Sequence, residues 1–203
     1  MPDPLFLKLA QEMGLPNSVQ EKLMVYLEEI QRHQVRYGLI KGSQEDLVAH
    51  VSEALEAINL LQLQNVGTLF DFGSGVGIPG VVLGIVAQYR YPNLKIYLIE
   101  RRFKRVKFLE GTIAKLGLLN TEVFSTDASQ LTMQADGAVC RAFMPLNASL
   151  LNLGKKLIRK GGWLAYFAAK RELIHDDVFK THKVVWQAFP SSSKERWLCV
   201  LTI

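Results

Sequence analysis

The fold of this chain is decided by one stretch, Leu69-Phe-Asp-Phe-Gly-Ser-Gly-Val-Gly-Ile-Pro-Gly80. An apolar strand ends at the carboxylate of Asp71 and runs into a loop with a glycine at every second position. These glycines are Gly73, Gly75 and Gly77. Glycine lets the backbone turn sharply and approach a ligand that a Cβ would hold away, and Pro79 suits the first turn of a following helix. Such a strand–loop–helix unit predicts a nucleotide-type site at the carboxyl end of the first strand of an open α/β sheet.

The carboxylate of Asp71 indicates which ligand the loop binds. A negative charge beside the loop repels a pyrophosphate but attracts a ligand that carries an ammonium and a sulfonium, which points to S-adenosylmethionine. A dinucleotide is the main alternative, because Gly75-Val-Gly77-Ile-Pro-Gly80 matches the G-x-G-x-x-G fingerprint and Glu100 follows at about the expected distance. A glycine-rich turn without any ligand is the third alternative.

Composition excludes several classes of protein. The chain has 203 residues, of which 49% are hydrophobic and 21% charged, as is ordinary for a globular domain. The longest apolar run, around Ile78–Ala87, is far shorter than the roughly 20 residues of a membrane helix. The first residues, Met-Pro-Asp-Pro, lack the basic and apolar regions of a signal peptide. We expect a cytoplasmic protein that is a monomer and does not bind membranes.

The cysteines and histidines predict neither a disulfide framework nor a metal site. Cys140 and Cys199 both lie in apolar, strand-like stretches, and we expect buried thiols. The histidines are scattered without the spacing of metal ligands. They are His33, His50, His175 and His182. No metal is therefore expected.

Basic residues are clustered along the chain. The net charge of +5 favours polyanionic partners only mildly, but the arrangement is more informative than the sum. The clusters are Arg101, Arg102, Lys104, Arg105 and Lys107; Lys155, Lys156, Arg159 and Lys160; and Lys170 with Arg171. Any one cluster can be a solvated helix face, whereas three of them near the predicted sheet edge predict a phosphate-binding surface.

The hydrophobic periodicity divides the chain into two parts. Residues 4–62 have the period of amphipathic helices, so we take residues 1–62 as a helical amino-terminal extension. From Val66 onward, strand patterns alternate with helix patterns. Residues 63–203 are therefore predicted to form an α/β domain that binds S-adenosylmethionine.

The order of the predicted elements favours one kind of sheet. The predicted strands are Val66–Asp71, Leu94–Ile99, Thr121–Phe124, Ala138–Arg141, Trp163–Ala168, Lys183–Phe189 and Arg196–Ile203, and the helices among them are Pro79–Tyr89, Lys104–Leu116, Asn147–Arg159 and Arg171–Phe179. The polar connector Pro190-Ser-Ser-Ser-Lys194 suits a hairpin, so the last strand should run antiparallel to its neighbours. A mostly parallel, Rossmann-like sheet finished by a hairpin is the plan of class I methyltransferases, whereas dehydrogenase sheets usually end with another parallel strand.

The carboxyl ends of the strands assemble a candidate donor site, because ligands of such sheets bind there. The expected donor-binding residues are Asp71, Gly73, Ser74, Gly75, Gly77, Glu100, Asp127, Ala128 and Arg141. Glu100, after the second strand, can accept both ribose hydroxyls, unless it is a surface acid that balances the neighbouring arginines. Asp127 and Ala128 follow the third strand, where adenine contacts are expected.

Arg141 and Lys170 are the candidate catalytic residues. They follow the fourth and fifth strands and should face the opening for the methyl acceptor. Cys140-Arg-Ala-Phe-Met-Pro145 is neither the Asp/Asn-Pro-Pro-aromatic sequence of exocyclic-amine methylation nor a Pro-Cys nucleophile. A ring nitrogen with a free lone pair needs neither, because positioning supplies most of its catalysis. Alternatively, Arg141 pairs with Asp71 or Glu100 to hold the loops, and Lys170 is a solvated surface residue.

With these residues in place, the chain resembles the bacterial small-subunit ribosomal RNA guanine-N7 methyltransferases, the glucose-inhibited division protein B family. The resemblance rests on the helical extension, the Asp71–Gly80 loop with Val81-Val82-Leu83, Lys104-Arg105-Val106-Lys107-Phe108-Leu109, Arg141-Ala142-Phe143, the Lys170 turn and Arg196. It implies S-adenosylmethionine as donor and a guanine of small-subunit ribosomal RNA, free or in an assembling small subunit, as acceptor. It also implies functional positions for Arg141 and Lys170.

The departures from the family lie mainly on the acceptor side. Tyr37-Gly38-Leu39-Ile40 stands where the family usually has Tyr-Asn-Leu-Thr, and His50-Val-Ser-Glu53-Ala54 stands for its His-x-x-Asp-Ser motif. The Thr-Gly-Pro-Gly loop of the family reads Ser74-Gly-Val-Gly77. Our leading hypothesis is a ribosomal RNA methyltransferase that acts at guanine N7. The alternatives are a divergent paralogue that binds RNA or ribosomal particles without turnover, and an enzyme that methylates another RNA or a small molecule.

Overall fold

A computed structural model of the chain describes residues 4–37, 43–171, 182–192 and 194–203. Within these residues, seven strands form a single sheet: β1 (Thr68–Phe72), β2 (Lys95–Glu100), β3 (Thr121–Ser125), β4 (Ala135–Arg141), β5 (Ile158–Ala168), β6 (Val184–Ala188) and β7 (Trp197–Thr202). The order across the sheet is β3-β2-β1-β4-β5-β7-β6. The order therefore reverses between β1 and β4, which is where an open α/β sheet leaves a crevice for a ligand.

The direction of the strands confirms the predicted fold class. Strands β1 to β5 pair in parallel, while β7 is antiparallel to both β5 and β6. Because the short connector after Phe189 returns the chain at once, the final pair forms the hairpin that its polar sequence indicated. The result is a Rossmann-like sheet with an antiparallel carboxy-terminal strand.

Six α-helices surround the sheet in the described part of the chain. They are α1 (Pro4–Glu12), α2 (Asn17–Tyr37), α3 (Gln44–Leu60), α4 (Gly80–Arg90), α5 (Phe103–Leu116) and α6 (Ala148–Leu157). Helix α3 begins with a capping box, in which Asp46 N donates to Ser43 Oγ at 3.3 Å and Ser43 N donates to Asp46 Oδ2 at 3.1 Å. Helix α5 ends at Gly117, whose φ of +60° is the left-handed conformation that glycine adopts without strain.

The boundary between α6 and β5 lies earlier in the chain than predicted. The helix predicted to reach Arg159 ends at Leu157, and β5 begins at Ile158 rather than at Trp163. This early part of β5 continues the sheet through backbone hydrogen bonds of Gly161 and Gly162 with Ile203, which the charged and glycine-rich sequence did not reveal. Of the predicted helix Arg171–Phe179, all but Arg171 lies outside the described residues.

The amino-terminal helices share a hydrophobic core with the sheet. Leu23, Ile30 and Leu55 are fully buried in the same cluster as Leu69 and Leu83, so α2 and α3 pack onto the layer that contains α4 and α5. An ion pair between Glu29 and Lys115 at 2.6 Å joins α2 to α5. The division at residue 62 is thus a change of pattern within a shared core, and its status as a domain boundary stays a prediction.

Three bulk features of the described residues bear on function. No helix among them is both long and apolar enough to cross a bilayer. Both cysteines, Cys140 and Cys199, are buried free thiols, as their apolar surroundings predicted. Among the same residues, no group of three or more His, Cys, Asp or Glu side chains could hold a metal ion.

Candidate active site

The glycine-rich loop adopts backbone conformations that other residues rarely take. The φ angles of Gly73, Gly75 and Gly77 are +66°, +62° and +98°. A Cβ on Gly73 would lie 2.4 Å from Cδ2 of Phe143, and one on Gly77 would lie 2.4 Å from Cγ2 of Val81. The loop therefore needs glycine both for its turns and for the close approach of its neighbours.

Asp71 lies beneath this loop and is almost fully buried. Its Oδ2 accepts a hydrogen bond from the amide of Gly80 at 3.1 Å, and its backbone carbonyl accepts one from Ser74 Oγ at 2.8 Å. A Cβ on Gly80 would lie 2.4 Å from Oδ2, so glycine is required there as well. The other carboxylate oxygen, Oδ1, has no hydrogen-bond partner among the described residues. Such an orphaned buried acceptor is unusual and indicates a functional position.

Burial raises the pKa of Asp71 from 3.8 to about 7. The hydrogen bonds from Ser74 and Gly80 and the charge of Arg141 act in the opposite direction, while the charge of Glu100 adds to the rise. At neutral pH the carboxyl group is therefore poised between its two protonation states. A cation placed close to it would favour the ionised form.

Glu100 ties the loop to the start of α5. Its Oε2 accepts a hydrogen bond from the amide of Gly75 at 3.0 Å, and its Oε1 accepts one from the amide of Arg102 at 2.8 Å. Nη1 of Arg105 lies 3.7 Å from Oε2. The side chain is only 4% exposed. It is a positioned carboxylate rather than the surface acid that the sequence left as an alternative, and each oxygen retains a lone pair for a further donor.

A cavity of about 280 Å³ opens at the carboxyl ends of β1 to β4. Its lining consists of Gly73, Ile99, Glu100, Arg101, Arg102, Arg105, Thr126, Asp127, Ala128, Ala142, Phe143 and Met144. Four predicted donor-binding residues thus meet at one cavity, namely Gly73, Glu100, Asp127 and Ala128. The other predicted site residues do not line it. They are Asp71, Ser74, Gly75, Gly77, Arg141 and Lys170. Asp71 and the remaining loop residues lie behind Gly73, which lines the cavity.

Asp127 is held rigidly at the end of β3. Its Oδ1 accepts hydrogen bonds from the amide and hydroxyl of Ser129, at 3.0 and 2.8 Å, which caps the short 3-10 turn from Ala128 to Gln130. Its Oδ2 accepts a hydrogen bond from Arg101 Nη1 at 3.1 Å. The amide of Ser129 is the main reason that the pKa of Asp127 lies below its ordinary value. The lining of the cavity therefore includes two fixed carboxylates, those of Glu100 and Asp127.

A larger cavity, of about 520 Å³, lies at the opposite edge of the sheet. It is lined by residues before β1 and at the start of β4 and β5, such as Val66, Asp136 and Gly162. These positions are the amino ends of the parallel strands, where open α/β sheets do not bind their ligands. The smaller cavity is therefore the better candidate for the active site, in spite of its size.

Arg141 joins the end of β4 to α3. Its Nη2 donates to Oε2 of Glu53 at 2.6 Å, and its Nη1 lies 2.7 Å from Nδ1 of His50. Because a guanidinium can only donate, this nitrogen of His50 acts as the acceptor. The guanidinium carbon also lies 4.7 Å from the ring centroid of Phe167. The predicted alternative partners of Arg141 were Asp71 and Glu100, but its hydrogen bonds go to the motif His50-Val-Ser-Glu53 instead.

Glu53 is the centre of a buried network. Its side chain is 1% exposed, and its Oε1 accepts a hydrogen bond from Ser192 Oγ at 3.2 Å and lies 3.7 Å from Nε of Arg196. Burial alone would raise the pKa of Glu53, but the charge and the hydrogen bond of Arg141 act against it, and the pKa lies below the ordinary value. The network joins α3, β4 and the β6–β7 hairpin through a single carboxylate.

The role of this network was not predicted from the sequence. His50 and Glu53 were noted only as a departure from a family motif, and Arg196 only as part of the resemblance to the family. The available signal was their spacing of three residues, which places both side chains on one face of a helix. What sequence could not supply was the partner, because Arg141 lies 88 residues from Glu53 along the chain.

The chain turn after β5 brings Lys170 to the same edge of the sheet. Phe167 is the register partner of Arg141, and the exposed Lys170 follows three residues later. Next to it, the carbonyl of Ala169 accepts a hydrogen bond from Nη1 of Arg196 at 3.5 Å. Lys170 thus lies at the same end of the sheet as Arg141, while residues 172–181 lie outside the described part of the chain.

The raised pKa of Asp71 predicts a specific dependence of stability on pH. The folded protein keeps the proton of Asp71 up to about pH 7, whereas the unfolded chain releases it near pH 3.8. The folded state therefore binds more protons between these values, and its stability falls as the pH rises through them. We expect Asp71→Asn to remove this fall, which is on the order of a few kcal/mol, in urea unfolding measured from pH 4 to pH 8.

Asp136→Asn is the matched control for this experiment. Asp136 binds the amides of Gly67 and Thr68, both at 2.8 Å, and its pKa lies below the ordinary value in spite of partial burial. Its contribution is present at neutral pH and is lost as the pH falls, so this variant should lose stability mainly above pH 4. Equal pH profiles for Asp71→Asn and the unaltered protein would contradict the burial of an ionisable carboxyl at this position.

The network around Glu53 predicts a large effect from a small change. Glu53→Gln keeps the shape of the side chain but leaves the buried charge of Arg141 without its counter-ion. We expect the free energy of unfolding at pH 7 to fall by about 3 kcal/mol, since removal of one partner from a buried pair is costly. Denaturant unfolding measures this directly.

Glu56→Gln, three residues further along α3, is the control. Burial raises the pKa of Glu56, and its Oε2 has no hydrogen-bond partner among the described residues. Removing its charge should therefore leave stability nearly unchanged or raise it. Losses of the same size in both variants would show that Glu53 acts by burial alone and not through Arg141.

Comparison with solved structures identifies the fold. The chain is similar to magnesium protoporphyrin IX methyltransferase from Synechocystis, with a TM-score of 0.59 and 17% identity over 90% of this chain and 97% of that one. It is also similar to a methyltransferase from Aquifex aeolicus described as S-adenosylmethionine dependent, with a TM-score of 0.57 and 16% identity over 75% and 90% of the two chains. At these identities the likeness establishes the class I methyltransferase fold.

Comparison of sequences identifies the family. Residues 19–199 match the family model GidB, described as rRNA small subunit methyltransferase G. The ribosomal RNA small subunit methyltransferase G of Treponema pallidum is 32% identical over 76% of this chain and 70% of its own length. That of Treponema denticola is 27% identical over 97% and 93% of the two chains. By these matches, the chain belongs to the GidB family of small-subunit ribosomal RNA methyltransferases.

Proposed function

We propose that this chain is an S-adenosylmethionine-dependent methyltransferase that modifies small-subunit ribosomal RNA at a guanine N7. The observation that carries this proposal is the meeting of the glycine loop, Glu100 and Asp127 at one cavity on the switch point of a class I methyltransferase sheet. Membership of the family supplies the class of acceptor. The resemblance of the sequence to guanine-N7 methyltransferases supplies the atom.

The residues present fit the proposed donor. The cavity lies between Gly73 of the glycine loop, where a Cβ would clash with Phe143, and two positioned carboxylates, Glu100 and Asp127. We assign Glu100 to the ribose hydroxyls, Asp127 and Ala128 to the adenine, and Gly73, Ser74, Gly75 and Gly77 to the methionine part. The orphaned Oδ1 of Asp71 is a buried acceptor that suits a positively charged ligand nearby.

The proposed acceptor atom makes a general base unnecessary. Bound S-adenosylmethionine supplies a methyl group on a positively charged sulfur. Guanine N7 has a free lone pair in the major groove, so no proton has to be removed from it. The protein then has to orient the base and exclude water, and such positioning alone can supply a large part of a rate enhancement.

Arg141 and Lys170 are assigned to the acceptor side. Arg141 is held in place by Glu53, His50 and the ring of Phe167, yet its Nε has no hydrogen-bond partner among the described residues. Because this nitrogen is buried, the assignment rests on the fixed position of the guanidinium at the end of β4, where its positive charge suits an acceptor atom of guanine or a phosphate oxygen. Lys170 is exposed beyond β5, where a cation can contact the RNA backbone.

The divergent motif on α3 supports turnover rather than binding alone. Glu53 stands where the family usually has an aspartate, and its carboxylate binds Arg141 at 2.6 Å. The motif therefore keeps a carboxylate, which in this chain holds the proposed catalytic arginine. The other divergent segment, Tyr37-Gly38-Leu39-Ile40, lies outside the described residues except for the backbone of Tyr37.

The remaining expectations complete the proposal. We propose that residues 1–62 form a helical extension that supports the loop from behind, because Tyr26 of α2 donates a hydrogen bond to the carbonyl of Val76 at 2.8 Å. We also propose that the protein acts as a cytoplasmic monomer on free RNA or on an assembling small subunit.

The direct test is methyl transfer from a labelled donor. Unmodified small-subunit RNA and small subunits from cells lacking the enzyme are incubated with the protein and labelled S-adenosylmethionine, and the RNA is digested to nucleosides. We expect the label in 7-methylguanosine. Arg141→Ala should lower kcat/KM at least tenfold, because a positioned charge-assisted contact is worth about 1.5–3 kcal/mol.

Arg159→Ala is the control: this arginine belongs to one of the predicted phosphate-binding clusters, but the structure places it on Asp136 at the opposite edge of the sheet. It should keep full transfer activity. Label in another nucleoside would contradict the assigned atom. Binding of RNA without any transfer to either substrate would instead favour the divergent paralogue that binds without turnover.

A further inference from the structure

Phe103 is a large apolar side chain that the fold leaves in solvent. In the described residues, the exposed large hydrophobic side chains are Tyr89, Phe103, Leu119 and Val185. Phe103 is 70% exposed and stands at the first position of α5, where it contributes nothing to either hydrophobic cluster. The exposed ring therefore does not stabilise the hydrophobic core, and its neighbours indicate another role.

Those neighbours are cations. We define the α5 rim as the five residues Arg101, Arg102, Phe103, Lys104 and Lys107, of which all four basic members are exposed. Lys107 Nζ lies 5.7 Å from the centroid of the Phe103 ring and is held by Glu110 at 2.7 Å. Arg102 and Lys104 have no ion pair with any described residue. The rim therefore combines an open aromatic face with uncompensated positive charge.

The rim borders the candidate active site. Arg101, Arg102 and Arg105 line the 280 Å³ cavity, and Phe103 with Lys104 lies between them in sequence. The amide of Arg102 binds Glu100, so the start of α5 is fixed relative to the donor-binding carboxylate. A strand of nucleic acid that lies along the rim would thus pass the mouth of the cavity.

We propose that the α5 rim is an RNA-binding platform, on which a base of single-stranded RNA stacks on Phe103 while Arg101, Arg102 and Lys104 contact the flanking phosphates. Aromatic stacking with cationic backbone contacts is the general mode by which proteins hold unpaired nucleotides. The inference rests on the proposed function for its RNA substrate and adds the surface that holds it. It assigns a binding role to a residue that touches neither the donor nor the methylated base.

The test compares four variants in binding to a fluorescent transcript of unmodified small-subunit RNA. Phe103→Ala should weaken the affinity about tenfold, the size expected for one stacked base, while Phe103→Trp should restore it. Lys104→Ala should weaken binding and make its salt dependence shallower by about one ion, which Phe103→Ala should not do. Tyr89→Ala, which removes an exposed aromatic ring from α4, is the control and should bind like the unaltered protein.

A second measurement separates this proposal from the proposed function. The affinity for S-adenosylhomocysteine, measured by calorimetry, should be the same in the unaltered protein, Phe103→Ala and Phe103→Trp. The KM for RNA should rise in Phe103→Ala, while kcat at saturating RNA changes little.

If the unaltered protein methylates RNA and Phe103→Ala is indistinguishable from it, the platform is wrong and the enzyme assignment stands. If no protein transfers methyl groups but Phe103→Ala loses RNA affinity, the platform stands and the enzyme assignment is wrong. A change of oligomeric state in Phe103→Ala with unaltered RNA affinity would also overturn the platform.

Discussion

Two buried carboxylates hold the glycine-rich loop, and the rest of the site depends on them. Asp71 binds the amide of Gly80 from below, and Glu100 binds the amide of Gly75 from the side. At Gly80 a Cβ would lie too close to Oδ2 of Asp71, whereas at Gly75 there is space for a Cβ and the φ of +62° is what favours glycine. The strand ends of an ordinary parallel sheet thereby become a rigid cradle, with its polar groups already oriented before any ligand arrives.

The amino-terminal helices are part of this arrangement. Helix α2 reaches the loop through Tyr26, and α3 reaches the end of β4 through Glu53 and His50. Burial of Glu53 would be costly without the two arginines and Ser192 around it. One side of the site is therefore shaped by the backbone geometry of the glycine loop, where we propose that the donor binds. On the other side, Arg141 is held by a charge network that spans three parts of the chain.

Local sequence predicted most of the elements and four of the residues that line the cavity, because their signals are short-ranged. Alternating apolar residues before Asp71, the glycine spacing and the polar hairpin connector each lie within about a dozen residues. The start of β5 was missed because Arg159, Lys160 and two glycines do not look like a strand, although hydrogen bonds to Ile203 make them one. The partners of Arg141 could not be predicted, since a contact between residues 88 positions apart leaves no local pattern. The exposure of Phe103 could not be predicted either, because an apolar residue in a helix is ordinarily assigned to the core.

The central claim is that the 280 Å³ cavity between Gly73, Glu100 and Asp127 binds the adenosine of a methyl donor. A crystal structure of the protein with S-adenosylhomocysteine tests it most directly. The account predicts the adenosine in this cavity, with both ribose hydroxyls within hydrogen-bond distance of the Glu100 carboxylate and the amino-acid part beside the glycine loop. Density for the ligand at the opposite edge of the sheet, or a Glu100 carboxylate that makes no contact with it, would contradict the account.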